Sequence, residues 1–124
     1  MSDVIYTDGH REVRRAPALA RTKGGAHAFY EVQPIDPEHR VDRAVPACVF
    51  LPFQHDTISA VGVTGLTNEA VLAVVIDRLR GFQAGAFWCE ENEDALLACE
   101  VALKVLEKRT ANRRARGVEG THEA

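Results

Sequence analysis

The chain of 124 residues has no proline beyond Pro52 and few cysteines. Proline lacks a backbone donor and breaks helix interiors, so its absence frees the second half to form long helices. Cys48, Cys89 and Cys99 are odd in number and show no CxxC spacing, which argues against a disulfide framework or a zinc site. They read instead as three small buried hydrophobes. No apolar run is long enough to span a bilayer. Met1-Ser2-Asp3-Val4 lacks the basic and apolar regions of a secretory signal, so the expected compartment is the cytoplasm. There is no P-loop, dinucleotide fingerprint or nucleophile elbow. His10, His27, His39, His55 and His122 are scattered without HxH or HExxH spacing, so no metal ligand set is expected. Asp3, Asp8, Asp36, Asp42 and Asp56 fall in or beside loops, where solvated turn residues are the default. The expectation is therefore a protein without catalytic residues, metal or cofactor.

What is present divides near Gly65. In residues 1–65, prolines 17, 34, 37, 46 and 52 interrupt short apolar runs, the pattern of strands and loops. Candidate strands are Ala28–Val32, Ala47–Phe53 and Thr57–Val61. The second is nearly all apolar, which predicts cover on both faces. Lys23-Gly24-Gly25 reads as a flexible turn, with a phosphate cradle as the other reading. In residues 66–124, Thr67-Asn68-Glu69 opens a helix with Thr67 as N-cap. Leu72, Val75, Ile76 and Leu79 continue it at helical spacing, with an end between Gly81 and Gly85. A second helix begins between Cys89 and Asn92, where Glu90, Glu91, Glu93 and Asp94 suit the positive end of the dipole. It runs through Leu96, Cys99, Leu103, Leu106 and Thr110 to a basic end, with Gly117 as the C′ residue. The short link predicts an antiparallel hairpin. The fold class is α+β: a small antiparallel sheet, then a long helical hairpin, taken together as one integrated domain.

Both helices are apolar around most of their circumference. Residues 70–76 are uninterrupted, and only Glu100 and Lys104 are polar between Ala95 and Leu106. Two helices cannot cover each other on every side. Burial stabilises by about 25 cal/mol per Å² of apolar area, so the N-terminal sheet is expected to cover one face and another copy of the chain the next, from a dimer up to a hexamer.

Two constellations carry chemistry. Phe82-Gln83-Ala84-Gly85-Ala86-Phe87-Trp88 joins the helices. A purine is satisfied by a stacked ring and one or two edge hydrogen bonds; Phe82 or Phe87 offers the ring and Asn92 an amide for an adenine edge. The same residues equally suit a hairpin corner plugged by aromatics and capped by Asn92. The second is the C-terminal run. Residues 104–116 hold six basic side chains against Glu107 alone, and Gly117, Val118, Gly120 and Thr121 follow. Guanidinium forks match phosphate oxygens, and glycine lets backbone N–H groups approach an anion. Arg109, Arg113 and Arg116 equally suit a complement to the helix dipole. A second basic patch spans residues 11–23. The chain nonetheless carries a net charge of −3, which suits a small anion better than long nucleic acid.

Leu66 to His122 resembles a phage family of cyclic-nucleotide sponges, the Thoeris anti-defence and anti-CBASS proteins that share a helical-hairpin domain. The resemblance rests on Thr67-Asn68-Glu69-Ala70, Phe82-Gln83-Ala84-Gly85, Phe87, Cys89, Glu91-Asn92, Ala95-Leu96, Arg109-Thr110 and Arg116-Gly117-Val118-Glu119-Gly120-Thr121-His122. It implies a host-cytoplasmic protein that holds cyclic ADP-ribose isomers, and cyclic di- or trinucleotides, without cleaving them. By the same resemblance, Phe82 and Asn92 belong to an adenine pocket. The Arg109 to Thr121 segment (Arg109, Arg113, Arg116, Gly117, Val118, Gly120, Thr121) lines a phosphate site where subunits meet. The N-terminal β region fits the Thoeris type. Trp88 and Glu90 depart from the family pattern, which has a small and a basic residue at those places. The alternative reading is a phage regulator that binds nucleic acid through the basic helix end, without a stable partner of that kind being expected.

Overall fold

The computed structural model describes residues 3–16, 26–36, 48–56 and 58–117. The chain forms two compact units, Met1–Leu66 and Thr67–Ala124. The first holds β1 (Asp3–Thr7), β2 (Arg11–Arg15), β3 (Phe29–Pro34), β4 (Val49–Pro52) and a single turn, α1 (Ile58–Val61). The second holds α2 (Asn68–Gln83) and α3 (Glu90–Ala115). The α+β class is as expected from the sequence.

The sheet is antiparallel in the order β1-β2-β3-β4. The first two strands are not among the candidates, although Asp8-Gly9 between them is a strong hairpin signal. Gly9 sits at φ +89, a conformation natural to glycine. Asp8 Oδ1 accepts from the His10 and Arg11 amides at 2.9 and 2.7 Å, and Thr7 Oγ1 donates to the Arg11 carbonyl at 2.8 Å. A bulge between Val4 and Tyr6 shifts the register of β1 against β2. The His10 and Arg11 amides, joined by the Arg11 guanidinium at 3.0 Å, hold the Asp8 carboxyl down at about 2. A depressed carboxyl contributes stability above its unfolded pKa and loses it as pH falls through the folded value. The amide resonance of Arg11 is accordingly expected to report the Asp8 carboxyl with a midpoint near pH 2. A midpoint near the ordinary value of about 4 would contradict the turn.

β3 begins one residue later than the candidate strand and extends to Pro34. Around it, Ala16 and Ala28 are buried, the His27 ring bonds the Ala16 carbonyl at 2.9 Å, and Tyr30 meets Phe53 edge to face at 5.6 Å. The sequence predicts cover on both faces of β4. It is instead an edge strand, and Val49 and Phe50 are exposed in the single chain.

Residues 58–61 do not form the strand expected over Thr57–Val61. The β-branched residues suit a strand, but residues 58–61 close one helical turn, with the Gly62 amide donating to the Ile58 carbonyl at 2.9 Å. Gly62 at φ +76 ends the turn. The Gln54 side chain then gathers the loop: its Nε2 donates to the Asp56 and Gly62 carbonyls, and its Oε1 accepts from the Thr64 amide at 2.8 Å. A side chain that satisfies three backbone groups in one loop replaces the partner strand this segment lacks. The chain returns to the sheet where the Leu66 amide meets the Pro52 carbonyl at 2.8 Å.

In the second unit the helix limits follow the sequence. Thr67 caps α2, its hydroxyl accepting from the Ala70 amide at 3.1 Å. α3 ends at Ala115, with Arg116 as C-cap and Gly117 at φ +72. Cys89, rather than Asn92, caps α3 through Sγ, which accepts from the Asn92 amide at 3.4 Å. That role keeps Cys89 half-buried. Cys99 is likewise half-buried and Cys48 exposed, so none of the three thiols has the full burial expected; all are free. No helix among the described residues is long and apolar enough to cross a membrane.

Candidate functional site

The hairpin is stitched by three polar pairs that run in opposite directions along α2 and α3. Glu69 accepts from the Thr110 hydroxyl at 3.4 Å, Arg80 meets Glu100 at 2.7 Å, and Gln83 donates to Glu93 at 3.0 Å. Between them Ile76 and Leu96 are buried. Gln83 also closes the corner: its Nε2 donates to the Cys89 carbonyl at 3.1 Å, and its Oε1 accepts from the Cys89 amide at 3.3 Å. A side-chain amide that pairs both backbone groups of Cys89 fixes where α3 starts. Sequence pattern does not single out this residue, because nothing in it distinguishes a clamp from a solvated glutamine.

This clamp places two of the expected site residues at one end. Phe82 and Asn92 flank the bonded pair Gln83–Glu93. Phe82 meets Phe87 edge to face at 6.4 Å and 80°. The Arg78 guanidinium lies 5.6 Å over the Phe82 ring, so one ring face is taken by a cation. The more open aromatic surfaces are Phe87, 76% exposed, and Trp88, 54% exposed. Asn92 is half-buried, with its backbone N–H committed to Cys89 and its side-chain amide left to pair elsewhere.

The arginines lie at the other end. α3 spans 26 residues, about 39 Å at 1.5 Å per residue, and Arg109 stands about 25 Å along the axis from Asn92. Arg109, Arg113 and Arg116 follow at i, i+4 and i+7 and so share one stripe. Arg109 and Arg116 are exposed and Arg113 half-buried. α3 overhangs the start of α2 here, since Thr110 already faces Glu69. The free carbonyls of a helix C-terminus carry partial negative charge. A phosphate at this end would therefore rest on guanidinium groups. Val118, Gly120 and Thr121, like Lys23-Gly24-Gly25, lie outside the described residues. Within one chain the aromatic corner and the arginine stripe are thus two separate places.

Among the described residues no three His, Cys, Asp or Glu side chains gather as a metal cluster. No protein-family model matches the chain. It is 49% identical over 71 residues to Thoeris anti-defense 1 of Bacillus phage SBSphiJ7, a stretch covering 57% of this chain and 50% of that protein. The chain thus spans about half the length of the curated relative it matches. Over the matched residues, this chain is similar to a Thoeris anti-defence protein of a Bacillus phage.

Proposed function

We propose that this protein counters Thoeris immunity by binding an adenine-bearing nucleotide signal and holding it uncleaved. The similarity to Thoeris anti-defense 1 carries the reading, and the chemistry of the hairpin supports it. The corner offers open rings for stacking and an unspent amide for a base edge. The arginine stripe offers charge-assisted donors for phosphates. Cyclic ADP-ribose isomers suit the corner, and cyclic di- or trinucleotides suit the stripe. A trap needs tight and reversible binding; a Kd of about 1 nM corresponds to roughly −12 kcal/mol. Among the described residues neither place brings a nucleophile together with a base, so retention rather than turnover is the outcome this chemistry favours.

The trap is, in this reading, a homo-oligomer. Leu97, Val101 and Val105 recur at i, i+4 and i+8 on α3 and are more than half exposed in the single chain, as is Val74 on α2. A second copy laid on this stripe would remove it from water at about 25 cal/mol per Å². Light scattering at micromolar concentration is expected to give a multiple of the chain mass; a monomer would rule out the oligomer.

The deciding experiment incubates the protein with cyclic ADP-ribose isomers and cyclic di- and trinucleotides, removes free ligand, and denatures the protein by heat. Intact ligand is expected back. A chemically altered product would establish an enzyme. Steeply salt-dependent binding of duplex DNA, with no small nucleotide retained, would establish the nucleic-acid regulator instead.

A further inference from the structure

The aromatic corner has an electrostatic difficulty. Between Thr67 and Glu100 the chain carries seven carboxylates and only two cations, Arg78 and Arg80. Four of the carboxylates (Glu90, Glu91, Glu93 and Asp94) sit on the first turns of α3, beside the corner. They occupy the positive end of that helix, the place where a phosphate would otherwise be welcome. A nucleotide brought there by stacking and by Asn92 meets a field of its own sign.

The two cations differ in what they are free to do. Arg80 is spent on Glu100, with which it forms a 2.7 Å ion pair. Arg78 has no carboxylate within ion-pair distance among the described residues; its contact is the Phe82 ring, 5.6 Å below the guanidinium carbon. A guanidinium placed over a ring commits a face and keeps its N–H donors in the plane, at the edge, available for a bidentate oxyanion. The ring in turn orients a long side chain that would otherwise lose rotamer freedom on binding.

We propose that Arg78 is the anion-binding residue of the aromatic corner, so that the corner selects a base joined to a phosphate or pyrophosphate over a neutral nucleoside. The inference deepens the sponge reading and rests on it. Arg78 neutralises the phosphate; Phe87, Trp88 and Asn92 take the base. The sequence pattern alone does not single out Arg78, because at i−4 from Phe82 it reads as one more solvated helix charge.

The test is isothermal titration of the full chain with cyclic ADP-ribose isomers at several NaCl concentrations, for the wild type, Arg78→Gln, Arg78→Lys and Arg80→Gln. For an isomer that the wild type binds, Arg78→Gln is expected to weaken binding about tenfold or more and to flatten its salt dependence, because one cation–phosphate contact is gone. Arg78→Lys should recover part of the affinity and the salt slope, and Arg80→Gln should retain both. Loss of affinity in Arg78→Gln with an unchanged salt slope would mean that Arg78 only props Phe82, and would overturn the assignment. So would affinity near that of the wild type. If the wild type binds no isomer, the sponge reading of the corner fails first and the role of Arg78 goes with it.

Discussion

Replacing Phe82 and Asn92 together by alanine is expected to lower affinity for an adenine-bearing signal by about a hundredfold or more. Stacking of a base on the ring cluster that Phe82 holds together contributes about 1–3 kcal/mol, and a good amide pair from Asn92 to an adenine edge about 1–3 kcal/mol. Phe82 also carries Arg78 on one face and Phe87 on its edge, so its loss loosens the aromatic cluster as a whole. The double replacement Arg109→Ala with Arg116→Ala stands about 25 Å along α3 from this corner. Effects at sites so far apart add, with little interaction between them. The arginine variant should therefore keep corner binding within about threefold and lose affinity for a cyclic trinucleotide instead. Calorimetry on both variants with both ligand types checks this. If each variant lost both ligands, the two places would have to be one composite site, which a single hairpin does not assemble. Unchanged affinity of the Phe82/Asn92 variant would show that the corner is not a binding site.

Gly65→Ala is expected to destabilise the sheet unit by about 3 kcal/mol, assembled from two causes. Gly65 has φ +61, a left-handed conformation in which a β-carbon costs roughly 1–2 kcal/mol. A β-carbon there would also run into the Pro52 carbonyl, whose carbon would lie 2.8 Å away, with the Phe53 carbonyl carbon at 3.3 Å. These are backbone atoms at the end of β4, held by the Leu66 and Phe53 amides, so relief has to come from moving the strand end. Against a typical domain stability of about 5–15 kcal/mol, the loss is large. Denaturation followed by the fluorescence of Tyr30 beside Phe53 should shift to markedly lower denaturant. A midpoint equal to that of the wild type would show that the Pro52–Leu66 junction relaxes freely. By contrast, a β-carbon at Gly85 would lie 3.6 Å or more from its neighbours, an ordinary contact distance, so alanine there should change little.

The hairpin was legible because its punctuation is chemical. Thr67, the acidic start of α3, its basic end and Gly117 each stand where an exposed backbone group or a dipole end needs them. The N-terminal half was less legible because its order is set by side chains satisfying backbone groups at a distance. Asp8 and Gln54 organise turns that composition does not reveal, and the β-branched run Thr57–Val61 reads as a strand only if a partner strand exists for it. The site residues were legible as types, a ring, an amide and a set of arginines. Their grouping was not: Gln83, which fixes the corner, owes its role to the register of α2 against α3, and Arg78 is set apart only by its contact with the Phe82 ring one turn on.

The sheet order β1-β2-β3-β4 has a kinetic consequence. Every strand pairs with its neighbour in the chain, and α2 pairs with the next helix. Pairing between chain neighbours keeps contact order lower than crossover topologies do, and lower contact order goes with faster folding and less time spent as an aggregation-prone intermediate. In the stoichiometric trap proposed above each molecule counts once, so the delay between synthesis and a working binding site would limit how soon a signal is intercepted. A meander followed by a hairpin keeps that delay short.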